Sequence, residues 1–383
     1  MSVTKPKGFR ASGVTAGFKD SGKSDLALVV NDGPSHAAAC VFTSNRCKAN
    51  PVLWSEEVIK DGEVAAIILN SGGANCYTGA PGFQLTHATA EALATELSIS
   101  SGDVLVCSTG LIGPLFSADK MLAAVPNVVA ALSTDGADAA ATAIMTTDTV
   151  SKQATYDGPG WSIGAMAKGA GMLAPALATM LIVITTDVDL APAQLDEALR
   201  VACATSFNRL DSDGCQSTND TVALLASGAA QISPDLAEFT DALSSVCVDI
   251  ALQLMQDAEG ASHDLYITTT HAASEADALE VSRSVARSNL FKCAVFGNDP
   301  NWGRVLAAAG TTTAAFEPHQ LDVAINGIWV CKDGQGAADP ESVDMTPRKC
   351  EILIDLKAGD AEVTVWSNDL THDYVHENSA YST

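Results

Sequence analysis

Aromatic side chains and charged side chains are both scarce in this sequence. Only 5% of its 383 residues are aromatic and 17% are charged, whereas 47% are hydrophobic. The core must therefore be built from Ala, Val, Leu and Ile, and the length suits one large domain or two smaller ones. Positive charge is scarcest, because 21 Lys and Arg face 46 Asp and Glu and give a formal net charge of -25. Such a surface repels phosphate backbones, so we expect no nucleic-acid partner.

Export and membrane signals are also lacking. The N-terminus, MSVTKPKGFRASG, has no apolar segment after its lysines, which predicts that there is no secretory signal and that the protein is cytoplasmic. Residues 169–186 carry no charge and approach the length of a membrane span. Only residues 180–184 are densely apolar, which is the length of a buried strand, so we expect no membrane contact.

Disulfide and metal frameworks are missing as well. The ten cysteines lie far apart and form no CxxC pair, which favours reduced thiols that pack as small hydrophobic residues. His372 and His376 have the spacing of one helix face, but they lie in an acidic tail without the glutamate of a metalloprotease helix. We therefore predict no metal site.

Strand-like and helical segments alternate along the whole chain. Short apolar runs rich in Val and Ile predict buried strands at residues 26–30, 64–69, 104–107, 180–185, 221–225 and 265–269. Further strands are predicted near the C-terminus at residues 321–330, 350–356 and 362–366. Helical periodicity marks residues 83–97, 194–206, 234–257 and 275–288, with Pro192 and the pair Ser233-Pro234 as start signals. This mixture predicts a layered α/β or α+β protein, although the order of the layers cannot be derived from it.

One nucleotide-binding motif occurs near the N-terminus. Residues 17–24, GFKDSGKS, match the phosphate-loop pattern GxxxxGK[ST]. That motif needs a strand before the loop and a helix after it, because successive amides and the helix N-terminus bind the phosphates. Here a strand pattern follows, and residues 10–16 make a poor buried strand. A strand–turn–strand corner is the favoured interpretation, and a nucleotide site is the alternative.

The segment most informative about chemistry is residues 168–184, KGAGMLAPALATMLIVI. A glycine-rich loop runs into a predicted strand that begins near Thr179, and an ordinary bend is the simplest interpretation. A threonine hydroxyl becomes a nucleophile, however, when an N-terminal amine in the same residue acts as its base. Such an amine has a pKa of about 7.7–8.0, so part of it is neutral near pH 7. Cleavage of the bond between Ala178 and Thr179 would create it.

This segment resembles the KGxGMxAPxxATML signature of the ornithine acetyltransferase family, the glutamate N-acetyltransferases of cyclic arginine biosynthesis. Further blocks similar to the family occur in the same order over essentially the whole chain: GFRASG (8–13), NSGGAN (70–75), CSTGLIG (107–113), MTTDT (145–149), FGNDPNWGR (296–304) and ENSAYST (377–383). The resemblance implies the α-β-β-α sandwich of the self-processing ornithine acetyltransferases and aminopeptidases. It also implies a smaller C-terminal α/β lobe.

The resemblance further implies roles for individual residues. The chain would cleave itself before Thr179 into an α chain, 1–178, and a β chain, 179–383, with Thr179 as nucleophile. Thr109 and Gly110 would stabilise the oxyanion formed on the substrate carbonyl. The implied substrate contacts are Thr146 (or its neighbour Thr147), Lys168, Thr179 itself, Glu259, Asn378 and Thr383.

Two of the implied contacts keep alternative interpretations. Lys168 would pair with the substrate α-carboxylate or tune the nucleophile. Glu259 would pair with the side-chain amine of ornithine, unless it is simply an exposed residue at a helix end. The sequence departs from the common family pattern at Gly73, Ala170 and Ala176, where Asn, Ser and Asn are frequent. These departures remove no catalytic group and are expected to alter loop geometry and acceptor preference.

The implied reaction moves an acetyl group from N2-acetylornithine to Thr179 and then to glutamate. It needs no metal or organic cofactor, because the protein supplies nucleophile, base and oxyanion donors. The family also implies a heterotetramer of two α and two β chains. Alternatives are a bifunctional form that also uses acetyl-CoA, a relative in a secondary-metabolite pathway, and a self-processed amidase or aminopeptidase with water as acceptor. A binding protein without catalysis is a further alternative.

Overall fold

The structure, a computed structural model, describes residues 2–174 and 180–380. Ala176, Ala178, Thr179 and Thr383 lie outside these ranges.

The strands of the described residues are numbered in chain order: β1 Phe9–Val14, β2 Leu26–Asn31, β3 Ala38–Phe42, β4 Ala66–Asn70, β5 Val104–Ser108, β6 Lys152–Asp157, β7 Ser162–Lys168, β8 Leu181–Thr186, β9 Thr221–Ala226, β10 Asp264–Ala272, β11 Asp322–Ile325, β12 Ile328–Lys332, β13 Gln335–Gly336, β14 Lys349–Asp355 and β15 Ala361–Asn368. The α-helices are numbered likewise: α1 Asn50–Val58, α2 Gly79–Leu97, α3 Ala118–Ala130, α4 Ala137–Ala143, α5 Pro192–Thr205, α6 Leu236–Gln256, α7 Glu275–Ala286, α8 Asn289–Phe296, α9 Trp302–Ala309 and α10 His372–Ala380.

Two sheets lie face to face and form the larger part of the protein. Their strand orders are β1-β2-β4-β5 and β3-β9-β8-β7-β6. Side chains of both sheets, among them Val29, Leu69, Val183 and Ala223, form one buried cluster between them. Helices α2 and α3 cover the outer face of the first sheet, and α5 and α6 cover that of the second. This order of layers confirms the predicted α-β-β-α sandwich.

Strand β8 lies inside its sheet, antiparallel to β7 and parallel to β9. Leu181 and Val183 face the core between the sheets, whereas Ile182 and Ile184 face α5 and α6. Because side chains alternate between the two faces of a strand, a strand covered on both sides is apolar at every position. The unbroken apolar run that predicted this strand follows from its double burial.

The third sheet, β13-β12-β11-β14-β10-β15, forms the smaller C-terminal lobe. Helices α7, α8 and α9 pack on one of its faces through side chains such as Val281, Phe291 and Val305. After β15 the chain returns to the sandwich, where the Thr371 hydroxyl donates to the carbonyl of Gly260 at 2.6 Å. This lobe confirms the predicted C-terminal α/β unit. It also places the start of α10 beside the residues that follow α6.

Two local predictions were wrong. Residues 321–330, predicted as one strand, form the hairpin of β11 and β12, because Asn326 and Gly327 adopt φ of 46° and 80° and turn the chain. The cap of α6 is the side chain of Asp235, which accepts from two backbone amides, and not Ser233. The predicted start of α5 at Pro192 is confirmed.

Residues 17–24 form a strand–turn–strand corner and not a phosphate loop. Strand β1 pairs antiparallel with β2, and β2 follows the loop where a phosphate loop needs a helix. The buried carboxylate of Asp25 accepts the amides of Ala16, Phe18 and Lys19 at 2.6, 2.6 and 3.0 Å. Amides that would otherwise bind a phosphate are therefore already bonded. The segment before the loop does form strand β1, which corrects the prediction of a poor strand.

The uncharged stretch 169–186 contains strand β8 and no helix in its described part. Across residues 2–174 and 180–380, no helix combines the length and the apolar character that crossing a membrane requires.

Candidate functional site

The ends of β5 and β7 meet at one edge of the sandwich. Thr109 directly follows β5, Lys168 is the last residue of β7, and both side chains are buried at 1% exposure. Lys168 Nζ donates to Thr109 Oγ1 at 3.1 Å. The Asn219 side chain fastens this edge, donating to the carbonyls of Ala74 and Ser108 at 2.7 and 2.8 Å. A charged amine and a hydroxyl are thereby held together where three loops converge.

A cavity of about 310 Å³ opens beside this pair. It is lined by Thr109, Gly110, Leu111, Ile112, Thr146, Thr147, Lys168, Gly171, Met172, Asp213, Cys215, Glu259, Tyr374 and Asn378. Six residues singled out from the family resemblance are therefore gathered around one space. Thr146 and Thr147 both line it, so the lining does not choose between them. Thr179 and Thr383 lie outside the described residues.

Gly110 takes a conformation that favours glycine. Its φ is 132°, and an added Cβ would lie 2.8 Å from the backbone nitrogen of Gly73. The amide of Gly73 donates to the carbonyl of Thr109 at 3.0 Å, so the two loops pack backbone to backbone. At Gly73, where Asn is common in the family, an added Cβ would lie 3.1 Å from the Phe116 ring. Glycine at position 73, in place of the Asn that is common in the family, therefore allows Phe116 to pack closer to the backbone.

Asp148 connects two segments of the cavity wall. Its Oδ2 accepts the amide of Thr146 at 2.9 Å, and its Oδ1 accepts the amide of Gly169, next to Lys168, at 2.7 Å. Oδ1 also accepts from Lys152 Nζ at 2.6 Å, and the Lys152 ammonium forms a second ion pair with Asp257. Burial alone would raise the pKa of Asp148, but the charges of Lys168 and Lys152 bring it below its usual value. Asp148 is thus held as a carboxylate.

Glu259 and Asn378 bring the C-terminal helix to the cavity. Asn378 Nδ2 donates to Glu259 Oε2 at 3.0 Å, and the Glu259 amide donates to the carbonyl of Ala170 at 3.0 Å. Glu259 is half-buried and lies three residues beyond the end of α6. The Gly171 backbone lies against it, since an added Cβ would be 2.6 Å from Glu259 Oε2. The interpretation of Glu259 as an ordinary exposed residue is therefore wrong.

The charges around the cavity are of both signs. Burial lowers the pKa of Lys168, although nearby carboxylates such as Asp148 and Glu259 oppose this shift. Burial raises the pKa of Asp213, which accepts the amide of Met172 at 2.7 Å, and it also raises the pKa of Tyr374. A ligand in this cavity meets one ammonium and at least two carboxyl groups.

Sequence reasoning missed several residues of this wall, namely Asp213, Cys215, Tyr374 and the linking Asp148. Asp148 lay inside a recognised block, MTTDT, but no feature of the sequence shows that its carboxylate joins two loops. Asp213 sits in the turn DSDG, whose composition indicates only a loop. Their proximity to the cavity arises from tertiary contacts.

Known bacterial proteins match this chain over its full length. The chain is 61% identical over 382 residues to the "Arginine biosynthesis bifunctional protein ArgJ" of Streptomyces avermitilis, with 100% of both chains covered. It is 57% identical over 383 residues to the protein of that name from Thermobifida fusca, again with 100% of both covered. A solved ornithine acetyltransferase from Mycobacterium tuberculosis, complexed with ornithine, is 56% identical and matches 46% of this chain and 96% of that chain with a TM-score of 0.45.

The model of the ArgJ family matches residues 10–383. The family predicted from the sequence blocks is therefore confirmed. This chain belongs to the ArgJ family.

Proposed function

We propose that this chain cleaves itself between Ala178 and Thr179 and then transfers an acetyl group from N2-acetylornithine to glutamate through Thr179. The products of cleavage would be an α chain, 1–178, and a β chain, 179–383. Relatives that cover the whole chain carry the name of an arginine biosynthesis protein, which supports this pathway.

The observation that carries the proposal is the gathering of Thr109, Gly110, Lys168 and Glu259 around one cavity. Strand β8 begins at Leu181, and its backbone pairs with Lys168 in register. Thr179, which lies outside the described residues, precedes this strand by two positions in the sequence. N2-acetylornithine carries a carboxylate and an ammonium, which suits a cavity with one lysine and several carboxyl groups.

The chemistry follows from these groups. The hydroxyl of Thr179 attacks the acetyl carbonyl, and its own α-amine takes the proton. Thr109 and Gly110 hydrogen-bond to the oxyanion of the tetrahedral intermediate. The nitrogen of ornithine takes the proton and leaves as an amine. The amine of glutamate then attacks the acetyl ester, and the bond between the acetyl carbon and Thr179 Oγ1 breaks. The proton lost by the glutamate nitrogen passes through the α-amine to Oγ1, which gives N-acetylglutamate and free Thr179. Lys168 binds the substrate carboxylate or tunes Thr179, and Glu259 binds the ornithine amine.

Intact mass spectrometry tests the cleavage. Purified wild-type protein should give two masses that meet between residues 178 and 179, and Thr179→Ala should give one uncut mass. Ser44→Ala is a control for expression and purification, because Ser44 lies far from the cut in the sequence. This variant should be cut like the wild type. An uncut wild-type chain, or a cut at another bond, would refute the proposal.

Kinetics test the transfer. A covalent acetyl-threonine predicts ping-pong behaviour, with ornithine released before glutamate binds. If ornithine appears only when both substrates are present, the covalent scheme is wrong. Rapid net hydrolysis of acetylornithine that glutamate does not change would favour the amidase alternative.

The word "bifunctional" in the names of the relatives favours acetyl-CoA as a second donor. We propose this as an additional activity of the same site. Release of free CoA in a mixture of acetyl-CoA and glutamate, followed with a thiol reagent, measures it. No release above the Thr179→Ala background would exclude it.

We also propose a heterotetramer of two α and two β chains acting in the cytoplasm. Seven of the ten cysteines are buried free thiols, which suits a reducing compartment. Light scattering coupled to size-exclusion chromatography measures the assembly, and a mass of one αβ unit would contradict it.

A further inference from the structure

The proposed function leaves one step without a base. After cleavage, the α-amine of Thr179 accepts the proton of its hydroxyl, but before cleavage that nitrogen is an amide and cannot do so. The first attack of Thr179 on the carbonyl of Ala178 therefore needs a different proton acceptor. We propose that Asp220 is the general base of self-cleavage, an inference that rests on the function proposed above.

Asp220 lies beside the first described residue after Thr179. It directly precedes β9, and its Oδ1 accepts the amide of Met180 at 3.0 Å. The carbonyl of Met180 in turn accepts the amide of Thr221 at 3.2 Å. One hydrogen bond thus joins Asp220 to Met180, the residue that follows Thr179 in the sequence, and a second joins Met180 to Thr221, the neighbour of Asp220.

Covalent geometry limits the distance between a threonine hydroxyl and the backbone nitrogen of the next residue. Four bonds join Thr179 Oγ1 to the nitrogen of Met180, so the two atoms are at most about 5 Å apart, and closer in most side-chain rotamers. Asp220 Oδ1 is 3.0 Å from that same nitrogen. The proposed proton transfer joins these two groups across the Met180 amide, and Thr179 itself lies outside the described residues.

The second carboxyl oxygen of Asp220 is available for a proton. Asp220 is 0% exposed, and its Oδ2 is buried and makes no well-aligned hydrogen bond, although the Ser217 hydroxyl lies close enough to act on the carboxyl group. Buried polar atoms are normally hydrogen-bonded, so an unsatisfied carboxyl oxygen needs an explanation, and a catalytic role supplies one. Two other acidic groups near the cavity are occupied: Asp148 accepts from Thr146, Gly169 and Lys152, and Asp213 accepts from Met172 and Cys215.

The surroundings of Asp220 suit a base. Burial raises the pKa of its carboxyl group well above the ordinary value. The groups that oppose this shift come from the elements packed against it: the Met180 amide, the Ser217 hydroxyl and the ammonium of Lys168 on β7. A carboxyl group whose pKa is moved towards neutrality is a stronger base than an exposed aspartate.

The step balances in atoms and charge. Asp220 Oδ2 takes the proton of Thr179 Oγ1 as that oxygen bonds to the carbonyl carbon of Ala178. The tetrahedral intermediate collapses, the bond from Ala178 to the Thr179 nitrogen breaks, and Asp220 returns its proton to that nitrogen, which becomes the free amine. Water then hydrolyses the ester: its oxygen stays on Ala178 in the carboxylate, one of its protons goes to Thr179 Oγ1, and the other protonates the new amine. Asp220 ends as it began.

The test measures the rate of self-cleavage in the full-length chain. Asp220→Asn keeps an oxygen that accepts from Met180 and removes the base. Asp187→Asn is the matched control, because Asp187 is also buried and follows the other end of β8, where it accepts the amides of Ser162 and Lys7 at 2.8 and 3.1 Å. Each chain is synthesised in a short translation pulse, transferred to buffers from mildly acidic to mildly alkaline, and sampled on denaturing gels.

We expect Asp220→Asn to cleave at least about 100-fold more slowly than wild type, the usual contribution of a general base, and Asp187→Asn to cleave normally. The wild-type rate should rise with pH as Asp220 loses its proton and then level off. Cleavage of Asp220→Asn at the wild-type rate would overturn the inference. If that variant does not fold, a wild-type rate independent of pH would overturn it instead. Cleavage of Thr179→Ala would refute the proposed function itself, so the two failures are distinguishable.

Discussion

The ion pair of Lys152 and Asp148 yields a quantitative prediction. Both side chains are 0% exposed, and Asp148 also accepts the amides of Thr146 and Gly169. Asp148→Asn keeps the shape but removes the charge, so Lys152 retains one ion pair, with Asp257, and its hydrogen bond to the carbonyl of Val150. Removing one partner of a buried pair costs about 3–5 kcal/mol, and the remaining pair places our expectation near the lower limit, about 3 kcal/mol.

Double-mutant analysis separates this interaction from general damage. Asp148→Asn, Lys152→Met and the combined variant are compared by urea unfolding in a Thr179→Ala background, which keeps the chain in one piece. Because the partners share one interaction, the combined variant should lose about 1–3 kcal/mol less than the sum of the single changes. Asp196→Asn is the control: its pair with Arg200, 2.8 Å long, is exposed and should contribute less than about 0.5 kcal/mol.

Additive effects, or a loss from Asp148→Asn no greater than that from Asp196→Asn, would refute this reasoning. A second readout concerns the site. Because Asp148 accepts the amides of Thr146 and of Gly169, the residue after Lys168, its substitution should raise the KM of the cleaved enzyme for acetylornithine. Asp196→Asn should leave that KM unchanged.

Three further predictions concern the cavity and its edge. Thr109→Ala should lower kcat about 100- to 1,000-fold with a smaller change in KM, as for the loss of an oxyanion donor. Thr109→Ser keeps the hydroxyl and should recover most of the lost kcat. Steady-state kinetics with cleaved protein measure both effects. Gly171→Ala should raise the KM for acetylornithine by displacing the Glu259 carboxylate, and an unchanged KM would contradict the close packing of these residues. Asp220→Asn should stabilise the uncut chain. Burial raises the pKa of Asp220 in the folded state, so a proton bound to its carboxyl group stabilises the fold. This stabilisation is complete below the unfolded pKa of about 3.9 and is lost as pH rises through the folded pKa. Melting temperatures measured against pH should therefore show a growing advantage of Asn above about pH 4, and a difference that does not change with pH would contradict this.

The sequence predicted best the strands that are buried on both faces. Strand β8 is apolar at every position because helices cover one side and a second sheet covers the other. Strand β1 escaped prediction, because it lies at the edge of its sheet and contains Arg10, Ser12 and Gly13. The order of layers came from the family resemblance, since periodicity states which face of a segment is apolar and not what covers it.

The site could be predicted only where a motif marked it. Thr109, Gly110 and Lys168 lie in recognisable blocks, and the structure places them around one cavity. Asp220 gave no such signal, because its contact with Met180 joins residues 40 positions apart through the parallel pairing of two strands. Its unpaired oxygen is a property of the folded chain alone, which is why sequence reasoning passed over it.

The pairing of β7 with β8 makes the proposed cleavage depend on folding. The cut would fall between these neighbours, so that β8 and β9 of one product lie between β3 and β7 of the other. The strand ends that bear Asp220 and Lys168 meet only after this sheet has assembled, so under this proposal a misfolded copy would stay whole and inactive. Cleavage would act as a proofreading step, and chain length on a gel would record which copies had folded. Refolding would differ after the cut, because the α and β chains of an unfolded copy would have to meet again by diffusion.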